Sequence, residues 1–277
     1  MLLGRMRRSA FFISDSTGIT AETLGHALLT QFEQVEYRET TLPFIDDAEK
    51  MEAAVNMINR AVTQDGCRPL VFATLTDLSL LETLRHSNAL VLDMFNVFLP
   101  SLEGELGSAS SHATGRSHAV ADKTSYDSRI AAVNFALQHD DGVSTRRYQD
   151  ADVILVGVSR TGKTPTCLYM ALRFGLRAAN YPLTEEDLRK LSTPRPLCHV
   201  KGRIYGLTID AERLHQIRTQ RHPDSNYASL AQCQGEVQAA EELFQAERIP
   251  FLCTTTLSIE EIASRILQAL GIKRRLF

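Results

Sequence analysis

The chain has 277 residues, of which 44% are hydrophobic and 23% charged, enough apolar side chain for a buried core and too much for a chain disordered throughout. At roughly 100 to 200 residues per domain, that length fits two domains. Lys and Arg total 30 against 33 Asp and Glu, so the formal charge of −3 provides no overall basic field to draw the chain to nucleic acid or an anionic membrane.

In chain order, short apolar runs alternate with segments of helical period. Residues 10–14 read as a strand, 21–32 as a helix, 35–42 as a strand, 48–62 as a helix, 69–74 as a strand, 78–86 as a helix and 89–95 as a strand. Parallel strands need crossover helices, so the pattern predicts an α/β fold with a doubly wound sheet in an N-terminal domain over 1–100. Residues 101–121, SLEGELGSASSHATGRSHAVA, are small and polar without a sustained period, and predict a linker, a mobile loop or an arm to a neighbouring subunit.

A second alternating series fills 122–277. Its helices are expected at 126–138, 165–174, 185–190, 228–247 and 259–270, and its strands at 152–156, 178–181, 204–209 and 250–254. No internal repeat is visible. Cys67, Cys167, Cys198, Cys233 and Cys253 lack C-x-x-C spacing, and an odd number does not make a complete disulfide framework. Residues 1–8 carry basic side chains without a following apolar run, and no stretch approaches the roughly 20 apolar residues of a membrane helix. A cytoplasmic chain is therefore expected, one that binds neither membrane nor nucleic acid.

The most specific feature is Gly157-Val158-Ser159-Arg160-Thr161-Gly162-Lys163-Thr164, which fits G-x-x-x-x-G-K-[ST] at every fixed position between an apolar run and a helical segment. The glycines let the backbone wrap phosphate oxygens with its N–H groups turned inward. Lys163 can reach the outer phosphates, and the Thr164 hydroxyl can ligate Mg²⁺. Arg160 can neutralise charge on a moving phosphoryl group. A Gly-rich turn without a ligand is the competing reading. Pro165 lacks the N–H that would otherwise follow Thr164, which removes one donor to an inner phosphate and points to a donor shorter than a triphosphate.

ADVILVGVSRTGKTPTCLYMA with the following RAANYPL, Phe12 to Gly18 with Ala21-Glu22, and residues 126–142 ending in His139-Asp140-Asp141-Gly142 together closely resemble the phosphoenolpyruvate synthase regulatory protein family, bacterial relatives of the plant pyruvate, phosphate dikinase regulatory protein. The resemblance spans nearly the whole chain. It implies a bifunctional enzyme. One activity is an ADP-dependent serine/threonine protein kinase that inactivates phosphoenolpyruvate synthase by phosphorylating a threonine. The other is a phosphate-dependent pyrophosphorylase that reverses the modification and releases pyrophosphate. ADP and inorganic phosphate as reactants, phosphoenolpyruvate synthase as partner, a homodimer, and a C-terminal P-loop nucleotide-binding α/β domain follow from the same resemblance.

Asp140 and Asp141 are candidates for the base that orients or deprotonates the acceptor hydroxyl, because carboxylates directly after a helix oppose its macrodipole and so break a local rule. A solvated acidic turn closed by Gly142 is the alternative, and the resemblance favours function. His139 can donate to phosphate when charged, orient an aspartate, or merely favour the helix end. Asp15, in a Ser-Asp-Ser-Thr-Gly turn, reads equally as a helix cap or a functional carboxylate. Asp210 can hold Mg²⁺ or cap a helix starting at Ala211, and Arg218, Arg221 and His222, in a polar connection, can close over a nucleotide but read first as a charged surface loop. Ser258 and Glu261 have capping-box spacing. Two further readings remain open: an ATP-dependent small-metabolite kinase, separated by its acceptor, and a nucleotide-sensing regulator that does not transfer phosphate, separated by its lack of turnover.

Overall fold

Apolar runs that do not alternate with polar residues suit strands buried on both faces, and each such run forms a parallel strand. The computed structural model describes residues 6–113, 123–223 and 225–273, and the chain divides into two units, 1–119 and 120–277. The first unit runs β1 (Met6–Ser14), α1 (Ile19–Leu29), β2 (Val35–Leu42), α2 (Ala48–Asp65), β3 (Leu70–Thr74), α3 (Leu78–Arg85), β4 (Leu90–Asp93) and α4 (Leu99–Leu106). Its four strands are parallel in the order β2-β1-β3-β4.

The second unit runs α5 (Lys123–Gln138), β5 (Val153–Gly157), α6 (Lys163–Phe174), β6 (Ala178–Pro182), α7 (Glu185–Lys190), β7 (Ile204–Thr208), α8 (Ala211–Arg221), α9 (Leu230–Ala246), β8 (Phe251–Cys253) and α10 (Ile259–Ala269). Its sheet is again parallel, in the order β6-β5-β7-β8. The two units therefore share one connectivity that the sequence does not display as a repeat. Alternation within the strands sends side chains to two apolar layers. Ile154 and Val156 of β5 join one cluster while Val153 and Leu155 join another, and Phe11 and Ile13 of β1 part in the same way from Ala10 and Phe12. Each fully buried aliphatic side chain of this kind contributes roughly 1.5–3 kcal/mol.

The loose reading of 101–121 is corrected at its start, because 101–106 belong to α4. Leu99, Leu102 and Leu106 follow the helical spacing i, i+3, i+7, Pro100 suits a first turn, and Gly107 ends the helix at φ 59°. Residues 114–121 of that stretch lie outside the described residues. Helix α8 emerges from a polar segment whose buried residues are only Leu214 and Arg218, too few to give the sequence a period. All five cysteines are free thiols, and among the described residues no helix is long and apolar enough to cross a membrane.

Candidate active site

Strand β5 is buried along its whole length and delivers the glycine-rich loop to the carboxyl end of the second sheet, between β6 and β7. A Cβ on Gly157 would lie 2.2 Å from the Leu207 carbonyl oxygen of neighbouring β7, so only glycine lets the loop leave the sheet here. Arg160 at φ 80° and Gly162 at φ 88° are both left-handed, the alternation that turns backbone N–H groups into a concave anion site. Gly162 caps α6 without any side-chain hydrogen bond, and Thr166 N makes its helical bond to Gly162 O at 3.2 Å. The N–H groups of the first turn therefore have no side-chain partner, and Pro165 occupies a position where its missing N–H costs the helix nothing.

Lys163 is buried, and its Nζ donates back across the loop to Val158 O at 2.9 Å. Burial is the main influence on the ammonium and pushes its pKa down to about 8, with nearby Asp141 and Asp140 pulling it upward and Arg218 pushing it down further. The neutral amine therefore gains population as the pH rises through about 8, and an anion arriving at Lys163 must restore the proton. Affinity for a phosphate-bearing ligand at Lys163 is expected to be about tenfold weaker at about pH 9 than at about pH 7, with proton uptake on binding, as read by calorimetry in buffers of different ionisation enthalpy. The Cys167 thiol, wholly buried in the same helix, is pushed far above its ordinary range by desolvation and offers no thiolate.

The acidic turn after α5 folds onto this loop. The Thr164 hydroxyl donates to Asp140 Oδ1 at 2.8 Å, and Asn180 Nδ2 donates to the same oxygen. Asn180, buried on β6, also accepts from Asp141 N at 3.0 Å and donates its own N–H to His139 O at 3.2 Å, and its carbonyl accepts from Tyr148 Oη at 2.9 Å. One asparagine thus ties the acidic turn to the sheet beside the loop. Asp141 is exposed and left-handed at φ 45°, followed by Gly142 at φ 70°. The His139 ring is buried, stacks on Phe135 at 4.0 Å between centroids, and shares a 2.8 Å hydrogen bond between Nδ1 and Phe135 O. A carbonyl only accepts, so Nδ1 carries the proton, and His139 anchors the turn from inside the core.

Asn180 and Arg218 are the site residues that the sequence hides. Arg218 is fully buried and donates to Ser159 O of the loop at 3.3 Å, to Tyr227 O at 3.0 Å and to Glu236 Oε2 at 2.6 Å, with its guanidinium carbon 4.0 Å above the Tyr227 ring. It is a strut under the loop, not the surface charge that its polar neighbours predict. Arg160 Nε is buried without a hydrogen-bond partner. Asp210 caps α8 by accepting from Glu212 N and Arg213 N, each at 3.0 Å, and Ser258 with Glu261 forms the expected capping box. Asp15 does not cap α1, whose first residue follows Gly18, but accepts from Thr76 N and Oγ1 at 2.7 and 2.6 Å in the first unit.

For Mg²⁺, the Thr164 hydroxyl and the Asp140 carboxylate present two hard oxygens on one edge of the loop. Mg²⁺ is commonly held by one or two protein oxygens with phosphates and water completing its shell, so this pair fits. Among the described residues no group of three or more His, Cys, Asp or Glu gathers to hold a metal.

A parallel α/β unit with a glycine-rich loop, a buried lysine and an acidic turn at the end of its central strand has the parts of a phosphoryl-transfer protein. The chain belongs to the kinase/pyrophosphorylase family, which it matches over residues 10–267. A relative from Stutzerimonas stutzeri (strain A1501) is 54% identical over 271 residues, 98% of this chain and 100% of the relative. Relatives from Marinobacter nauticus, 52% identical over 97% of this chain and 99% of their own, and from Pseudomonas fluorescens, 53% identical over 98% and 99%, share its name, "Putative phosphoenolpyruvate synthase regulatory protein".

Proposed function

We propose that the second unit is a doubly wound P-loop nucleotide-binding domain with two reactions. It moves the β-phosphoryl group of ADP to a threonine of phosphoenolpyruvate synthase, inactivating it, and removes that group with inorganic phosphate as pyrophosphate. The protein works as a cytoplasmic homodimer in this proposal. The Thr164–Asp140 hydrogen bond carries the reading, because at 2.8 Å it joins the acidic turn to the phosphate loop across 24 residues of sequence. A turn that merely met solvent would have no reason to make it.

In the forward direction the loop amides of 157–164 hold the donor phosphates, and Lys163 exchanges Val158 O for a β-phosphate oxygen. Arg160 neutralises charge that develops on the moving group. Thr164 and Asp140 would hold Mg²⁺, which when bound screens the repulsion between phosphates and nucleophile. Asp141, exposed beside this edge, accepts the proton of the threonine hydroxyl as its oxygen bonds to the β-phosphorus. The bond from that phosphorus to the bridging oxygen breaks, and AMP leaves with the electron pair. In reverse, an oxygen of inorganic phosphate attacks the phosphothreonine phosphorus, the bond to threonine breaks, and Asp141 returns the proton to the departing oxygen. His139 acts only through its hold on the turn.

Asp141→Asn is expected to lower kcat for both directions by about 10²-fold with little change in KM for ADP, because the side chain meets the acceptor and not the donor. A steady-state comparison with Asp140→Asn, which is expected to raise KM for ADP as well, checks the division of roles. The function itself is tested by incubating the protein with phosphoenolpyruvate synthase and either ADP or ATP. The expected result is a threonine-phosphorylated synthase and free AMP with ADP alone. Transfer from ATP only, or to a small molecule instead of the synthase, would overturn the proposal.

A further inference from the structure

Phosphoryl transfer brings the attacking oxygen and the leaving oxygen into line on opposite sides of the phosphorus, which gives the phosphate loop an acceptor side and a donor side. Asp140 and Asp141 reach the loop from the β6 side, through Thr164 at its end and through Asn180 on β6. With ADP as donor, the reading on which this inference rests, the acceptor oxygen enters beside Asp141 and AMP departs in the opposite direction. The nucleoside of the donor therefore lies on the β7 side, since β5 stands between β6 and β7. Helix α8 follows β7, and its Arg218 meets the other part of the loop, donating to Ser159 O at 3.3 Å.

The same guanidinium carbon lies 4.0 Å from the centre of the Tyr227 ring, and Arg218 also donates to Tyr227 O at 3.0 Å. Tyr227 stands in the short turn 226–228 between α8 and α9. One buried cation thus holds a loop carbonyl and an aromatic face together, which sets the ring within the span of a single guanidinium from the phosphate cradle. The His222 ring meets Tyr227 edge-on, with centroids 6.3 Å apart and planes at 77°, so the tilt of the ring is held from the side as well. Arg218 is fully buried while Tyr227 is only partly so, and the face that the guanidinium covers is the inward one. A ring fixed in this way loses little rotamer freedom when a ligand stacks on it. The cation behind the ring also draws on its π cloud, which relieves the repulsion between two stacked π faces. Every nucleobase presents such a face. We propose that Tyr227 is the platform for the base of the donor nucleotide, placed beyond Ser159 on the side of the cradle away from Asp141.

The test compares ADP with pyrophosphate, which shares the phosphate cradle but carries no base. The chain contains no tryptophan, so Tyr227→Trp introduces a single fluorophore at the ring position. Its emission is expected to fall on addition of ADP and to stay unchanged with pyrophosphate. By calorimetry on the full chain with Mg²⁺, Tyr227→Leu is expected to bind ADP about tenfold more weakly than wild type and pyrophosphate within about twofold of it, and Tyr227→Phe to restore ADP affinity. The bonds from Arg218 to Ser159 and Tyr227 use backbone carbonyls, which all three substitutions retain. The tryptophan variant keeps an aromatic ring on Arg218 and so reads stacking even where the leucine variant fails to fold. Equal losses for ADP and pyrophosphate in the leucine variant would mean that Tyr227 acts only by packing on Arg218, and would overturn the platform. Unchanged ADP affinity, or a tryptophan signal indifferent to ADP, would do the same. Binding of pyrophosphate but not of ADP by the wild-type chain would overturn the nucleotide donor itself, and the platform with it.

Discussion

Lys163→Met is expected to lower both ADP-dependent phosphorylation and phosphate-dependent pyrophosphate release by about 10³-fold, since in the proposed mechanism the same ammonium faces the β-phosphoryl group in the two directions. Methionine keeps the length and apolar volume of the side chain, so the substitution removes charge without opening a cavity. It also removes a desolvated cation whose burial already depresses its pKa to about 8, and the melting temperature is expected to hold or rise. Loss of activity with an intact fold assigns the effect to transition-state charge. If phosphorylation disappears while pyrophosphate release survives, the two reactions use separate sites and the single-cradle account is wrong.

Arg218→Ala is expected to cost roughly 3–5 kcal/mol of stability, the usual penalty for removing one partner from a buried ion pair. Glu236 would keep its charge with only 15% of its side chain exposed, and the carbonyls of Ser159 and Tyr227 would each lose a donor. Equilibrium urea unfolding reads the loss. Arg218→Lys separates the strut from the fold. It retains a positive charge for Glu236 but cannot reproduce the planar fork that reaches Ser159, Tyr227 and Glu236 together. Most of the stability is expected to return, while kcat with ADP stays about tenfold below wild type because the loop backbone is no longer fixed from beneath. Full recovery of kcat in the lysine variant would show that Arg218 holds only the fold.

The elements legible in the sequence are those whose signal is local. Strand β5 is readable because burial on both faces demands an unbroken apolar run, and the glycine-rich loop because a close backbone approach at Gly157 and a left-handed Gly162 leave almost no choice of residue. The Ser258–Glu261 capping box was visible for the same reason, its two halves lying three residues apart. Asn180 and Arg218 were not, because their partners are remote: Asn180 meets Asp141 across 39 residues, and Arg218 meets Ser159 across 59. RAANYPL carried a faint trace of the first, a polar side chain in a strand with no obvious reason to be there. Arg218 left none, since a buried arginine and an exposed one look alike in a polar helix. The shared connectivity of the two units is hidden because strand order is a property of pairing, and the equivalent places hold residues as different as Ile19 and Lys163.

The most direct measurement follows one phosphorus atom. Phosphoenolpyruvate synthase is phosphorylated with ADP labelled at its β-phosphate, freed of nucleotide, and returned to the protein with unlabelled inorganic phosphate. The account predicts that the label passes from ADP to threonine and leaves in pyrophosphate, with none released as orthophosphate. Label recovered as orthophosphate would mean that water and not phosphate is the nucleophile, and would contradict transfer in both directions through one phosphate cradle.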